Sequence, residues 1–107
     1  MLHFAGDAYY FSGRYDEAIP WYRKHLENQQ RGAQARMSWL FLIASHIELG
    51  ETEEARAEVG RLLEVHPDFS IAGAVRLVRA HPFKDHSFLD HQIEMLRNVG
   101  LPEGGDG

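Results

Sequence analysis

The segments LHFAGDAYYFSGRYDEAIPWYRKHLENQQ and WLFLIASHIELGETEEARAEVGRLLEVHP superimpose at a constant offset of 37 positions. Gly13 then matches Gly50, Ala18 matches Ala55, Tyr22 matches Val59 and Leu2 matches Trp39. No other feature restricts the fold as much, because a repeated unit that cannot bury its own apolar face must stack on its copies. Within each copy apolar residues recur at helical spacing, stop at a glycine and recur again, so each is a hairpin of two amphipathic helices. Ala18, Tyr22 and Leu26 fall at i, i+4 and i+8 on the second helix of the first copy, and Ala55, Val59, Leu62 and Leu63 mark that of the other. The two alanines suit a close antiparallel approach that leaves room for little more than a methyl group.

The segments around the repeat complete an all-α architecture of stacked antiparallel helical hairpins, with one domain over residues 1–101. Residues 1–30 form the first repeat, 37–68 the second, and 70–100 a shorter helix pair that caps the stack. In that pair Ile71, Ala74, Val75 and Val78 share one face, and His81-Pro82 ends the helix because a residue before proline avoids helical geometry. Asp85 is placed to cap a last helix bearing Phe88, Leu89, Ile93, Leu96 and Val99, with Gly100 as its stop. The tail 102–107 has nothing to pack and is expected to be flexible. Polar residues around Gly32 fit either a loose connection or a helix extended backward through Ala33-Gln34-Ala35. Pro20 is harmless near a helix start and kinks the helix if it lies deeper.

Composition narrows the function class. A chain of 107 residues fits one small domain that buries roughly 60–70% of its extended surface. With 44% hydrophobic and 25% charged residues it is an ordinary globular composition. A formal charge of −5 disfavours a phosphate backbone as partner, so nucleic acid is not expected. No apolar run reaches the roughly 20 residues of a membrane span and no secretory signal is present, which predicts no membrane insertion by this segment and a cytoplasmic setting. Zero cysteines exclude disulfides and thiolate metal sites.

The repeat resembles the tetratricopeptide repeat, whose pattern is a Trp-Leu-Gly-Tyr series on the first helix, Ala and Phe on the second, then Pro. The second copy supplies Trp39, Leu42, Ala55, Val59 and Pro67, with Ile43 in place of the glycine and His46 in place of the tyrosine. The first supplies Gly6, Tyr9, Ala18 and Tyr22, with Leu2 for the tryptophan and Gln30 for the proline. The period exceeds the usual length of about 34 residues. A narrower resemblance lies at the end: Arg79, His81, Pro82, Phe83, Lys84, Asp85, Leu96, Arg97, Gly100, Leu101 and Pro102 are similar to an "HPFKDP…LRKAGLP" ending. That ending recurs in bacterial proteins in which such repeats follow a class III adenylate/guanylate cyclase domain. His86 stands where that pattern has proline. No cyclase catalytic residue has a counterpart here. The resemblance implies the C-terminal part of a longer signalling protein, with any catalysis upstream.

No constellation in the chain itself supports catalysis. His86 and His91 are five positions apart, about 140° around a helix, and His86 with Asp90 makes only two ligands, so no metal or other cofactor is expected. Ser12, Ser38, Ser45, Ser70 and Ser87 lack a nucleophile elbow, and the acidic residues Glu51, Glu53 and Glu54 suit a helix start. The aromatics Tyr9, Tyr10, Phe11, Tyr15, Trp21 and Tyr22 read mainly as packing, with Tyr9 and Tyr22 in the core and Tyr10 toward the inner face.

Stacked hairpins curve, and their first helices line a groove that takes a peptide or a partner's helix. In this register the lining is His3, Asp7 and Tyr10, then Met37, Leu40, Ala44 and Ile47. It lacks the cationic set that grips a terminal carboxylate. Two function classes follow: a protein-binding regulatory module, whose partner is a protein, a peptide or its own upstream catalytic domain, or a homo-oligomerisation module of a transcriptional or other regulator. In the second, Leu2 and Phe4 form an apolar face that a homodimer would bury.

Overall fold

Six helices run through residues 2–28, 33–80 and 88–104, which are the residues described by the computed structural model. They are α1 (Leu2–Phe11), α2 (Tyr15–Asn28), α3 (Ala33–Glu48), α4 (Thr52–Val65), α5 (Ile71–Ala80) and α6 (Phe88–Asn98). The protein is all-α, and no strand occurs among the described residues. Hairpins α1–α2 and α3–α4 are the two repeat copies. Their turns are alike in detail: Gly13 and Gly50 both have φ 79°, a left-handed conformation that costs a residue with a Cβ. Arg14 N–H reaches the Tyr9 carbonyl at 2.9 Å and Glu51 N–H reaches that of His46 at 2.8 Å, while the glycine N–H groups bond Tyr10 and Ile47. This paired closure satisfies carbonyls that a helix end would otherwise orphan. Open space surrounds both glycines, so conformation rather than crowding requires them.

α3 begins at Ala33, the backward extension that its alanines allow. Pro20 lies inside α2, five residues past its first residue, where it withholds an amide from the Asp16 carbonyl. The repeat alanines Ala18 and Ala55 are fully buried, as is Tyr22.

The third pair departs from a continued stack. α3 packs against α1, α2, α4, α5 and α6, whereas the backbones of α4 and α5 do not approach one another among the described residues. α5 and α6 thus lie on α3, and every residue from Met37 to His46 is buried. The molecule measures 35 × 28 × 27 Å, and its 5956 Å² of accessible surface is close to the about 6,100 Å² of a closed globule of this mass. An open superhelix would expose more.

α5 starts with a cap, Ser70 Oγ accepting the Gly73 N–H at 3.1 Å. The chain end completes it. Gly100 has φ 95°, and Leu101 N–H returns to the Leu96 carbonyl at 3.1 Å. The carbonyls of Pro102 and Glu103 then accept the Ile71 and Ala72 N–H groups at 2.8 and 3.1 Å. The expectation that the tail has nothing to pack is therefore corrected for residues 102–104. Free amides at the start of α5 need acceptors, Leu101 is buried, and a Cβ on Gly104 would fall on Ser70. Residues 105–107 lie outside the described residues, as do Asp85 and His86.

Candidate functional site

The inner face predicted from the register is present but covered. Of its seven positions, the His3 side chain lies outside the described residues. Asp7 turns toward α2, where its carboxylate accepts the Tyr22 hydroxyl proton at 2.6 Å. Met37, Leu40 and Ala44 have no exposed surface, Tyr10 is 6% exposed, and Ile47 is half-buried. In this fold these residues do not line an open groove. A stripe this apolar is stabilised by removal from water, and the chain supplies its own cover.

The cover is the C-terminal pair. His91 Nε2 on α6 lies 3.2 Å from Glu48 Oε2, and the Arg36 guanidinium stands over the Phe69 ring, 5.9 Å from its centroid, beside α5. At about 100° per residue, Met37, Leu40, Ala44 and Ile47 fall on the arc of α3 between Glu48 and Arg36. That arc is the seat of α5 and α6. α6 and the turn that follows it present Gln92, Met95, Leu96 and Val99, buried at i, i+3, i+4 and i+7.

Contact with the first repeat is polar. Gln92 Nε2–H donates to Tyr10 Oη at 3.1 Å, and the Tyr10 ring packs on Phe41 at 4.7 Å and on Tyr15 at 5.3 Å. Burial holds the Tyr10 phenol well above its ordinary ionisation range, although the Gln92 bond works against it. The Gln92 carbonyl is buried with no partner among the described residues. Tyr9, expected in the core, is the half-buried member of the Tyr9-Tyr10 pair and lies under Arg14.

A second polar cluster went unseen in the sequence. Glu58, 2% exposed, accepts from Arg23 Nη2 at 3.1 Å and from Arg61 Nη1 at 2.9 Å. Arg23 Nη2 also lies 3.3 Å from His46 Nε2, and His46 Nδ1 lies 2.8 Å from Glu51 Oε1. A guanidinium only donates, so Nε2 accepts and the ring proton at Nδ1 goes to Glu51. The cluster pins α2, α3 and α4 together beside a shallow cleft of about 220 Å³ lined by Arg23, Leu26, Glu27, Leu42, Glu58 and Arg61. Its one sequence signal was His46 at the tyrosine position of the repeat.

None of this assembles a reaction centre. His25 Nδ1 lies 2.7 Å from Ser38 Oγ, yet Ser38 is fully buried in α3, where no substrate reaches it. Among the described residues no three His, Asp or Glu side chains are grouped to hold a metal ion, and no helix is long and apolar enough to cross a membrane.

A family model described as Tetratrico peptide repeat matches residues 2–96. No curated protein and no solved structure matches the chain. Two hairpins in one register, closed by identical glycine turns and matched over nearly the whole length, show that the chain belongs to the tetratricopeptide repeat family.

Proposed function

We propose that this chain is a protein–protein interaction module that receives a helix of its partner on the inner face of α1 and α3. It serves as the regulatory C-terminal part of a larger signalling protein in which a class III adenylate/guanylate cyclase domain lies upstream. The carrying observation is the stripe Tyr10, Met37, Leu40 and Ala44, whose cover in this fold is itself helical. A surface that accepts a helix at i, i+3, i+4 and i+7 spacing is suited to helix recognition more than to an extended peptide.

The cyclase reading rests on the closing motif. In its described part, Gly100 ends α6, Leu101 is buried and the Pro102 carbonyl caps α5. These roles explain the motif as a way of closing a repeat array, which supports kinship among arrays ended this way. The coding sequence upstream tests the parent: a nucleotide cyclase domain in frame supports it, and a DNA-binding or unrelated domain overturns it. For the module, calorimetric titration with that upstream domain is expected to show binding. Ile47→Asp, at the half-buried edge of the face, is expected to abolish that binding while circular dichroism stays helical.

A further inference from the structure

We infer that α6 is a resident ligand of the inner face, and that the partner is an amphipathic helix which displaces it and takes its seat. The inference rests on the reading of that face as the partner site, and it adds what the partner looks like and how access is controlled.

Three observations carry it. α6 lies across α3 and reaches α1 through Gln92 and Tyr10, so it occupies the face that the two repeats build. Its fit there is imperfect. The Gln92 amide brings two polar groups into a buried interface, where among the described residues its N–H has a partner and its carbonyl has none. An orphaned buried carbonyl forfeits its bonds to water without return, so the seated state of α6 carries a penalty that a better-matched helix avoids. The outer bonds of α6 add little. His91 is mostly exposed where it meets Glu48, and Arg97 pairs with Glu94 and Glu103 at the surface. Firm attachment is concentrated at the C-terminal end, where Leu101 is buried and the two tail carbonyls hold α5.

The seat dictates the occupant. A displacing helix carries apolar residues at the places of Met95, Leu96 and Val99. At the place of Gln92 it carries one weak acceptor or none, so that Tyr10 keeps its hydroxyl without an orphan beside it. Because α6 is tethered, it competes at high effective concentration, and the partner's apparent affinity falls by the fraction of chains in which the seat is open. The Gln92 mismatch keeps that fraction from vanishing.

The test uses the full chain and a fluorescent peptide spanning residues 88–101 of its own sequence with methionine replacing Gln92. Leu96→Ala in the chain is expected to raise peptide affinity at least about tenfold over wild type by loosening the resident helix. Gln92→Met in the chain is expected to lower it by about tenfold, the worth of one orphaned polar group, and to slow amide exchange in α6. No change in either readout for Gln92→Met overturns the proposal, and that variant decides alone if Leu96→Ala loses its fold. Light scattering completes the test: a Leu96→Ala dimer that excludes the peptide makes a second copy's α6 the occupant and overturns the partner-helix assignment. If the upstream domain binds wild type and Gln92→Met equally while α6 exchange is unchanged, displacement falls and the interaction module stands. If that domain binds neither variant, yet the peptide follows the expected order, the face and its occupant stand and the upstream partner falls.

Discussion

At Gly6 the backbone of α1 passes so close to α2 that an added Cβ would stand 2.8 Å from Tyr22 Cε1 and 3.0 Å from Cζ. The ring has nowhere to go, since Tyr22 is fully buried and its hydroxyl is tied to Asp7. Gly6→Ala gains about 1 kcal/mol of helix preference but meets an overpacking cost of about 1–3 kcal/mol. A net loss of up to about 2 kcal/mol is expected, read as a lower urea midpoint with an unchanged denaturant slope. Burial, joined at Tyr22 by the Asp7 carboxylate, raises the Tyr10 and Tyr22 phenols above the ordinary value of 10.0. The unfolded chain releases these protons near that value while the folded chain keeps them. Their contribution is therefore complete below it and is lost as pH rises beyond it. Tyrosinate absorbance from these two residues is expected to appear only together with loss of helical circular dichroism. Full ionisation with helices intact would contradict the burial of both rings. Asp7 also shows how register misleads at this scale: one turn of helix geometry placed it near the groove, and a hydrogen bond to Tyr22 decided otherwise.

Among the elements, the two hairpins were legible because each carries its own local instructions, a turn glycine and a small alanine in the facing helix. The position of the third pair was not, since the 37-residue register does not continue into it. A signal was nevertheless present in α3. Trp39–Ala44 is six apolar residues without interruption, and a helix with no polar face is covered on every side. The stripe facing the inner side of the repeats falls under that requirement as well, and α5 and α6 meet it. The clasp between chain end and α5 was equally hidden, because it is made by backbone carbonyls whose residues carry no apolar pattern. It does titrate. The Arg97 guanidinium, bonded to Glu103 at 2.5 Å, holds that carboxyl below its ordinary 4.5. A depressed carboxylate stabilises the fold above its unfolded value and ceases to do so as pH falls through the folded one. Below about pH 4.5, amide exchange at Ile71 and Ala72 is expected to accelerate relative to α3, and Glu103→Gln should reproduce the change at neutral pH. The effect is small because both partners are exposed. Equal protection of these amides across that range would remove the clasp's electrostatic component.

For the molecule as a whole, the covering of α3 changes the expected cooperativity. An open repeat array is held by nearest-neighbour interfaces and can lose an end unit separately. Here α3 is shared by both hairpins and the C-terminal pair, so none of the three has a core of its own. Leu40, fully buried on the arc that faces α5 and α6, samples that shared core. Leu40→Ala is expected to cost about 2–5 kcal/mol through lost burial and the cavity left behind. That loss should appear everywhere at once: tryptophan fluorescence, from Trp21 and Trp39, and far-ultraviolet circular dichroism are expected to shift together, with superimposable transitions in wild type and variant. Release of α6 is compatible with this, because a minor native-state opening shows in amide exchange without populating an intermediate. Two separated transitions, one moved by Leu40→Ala and one not, would show that a hairpin folds on a core of its own, and the reading of α3 as the common centre would fail.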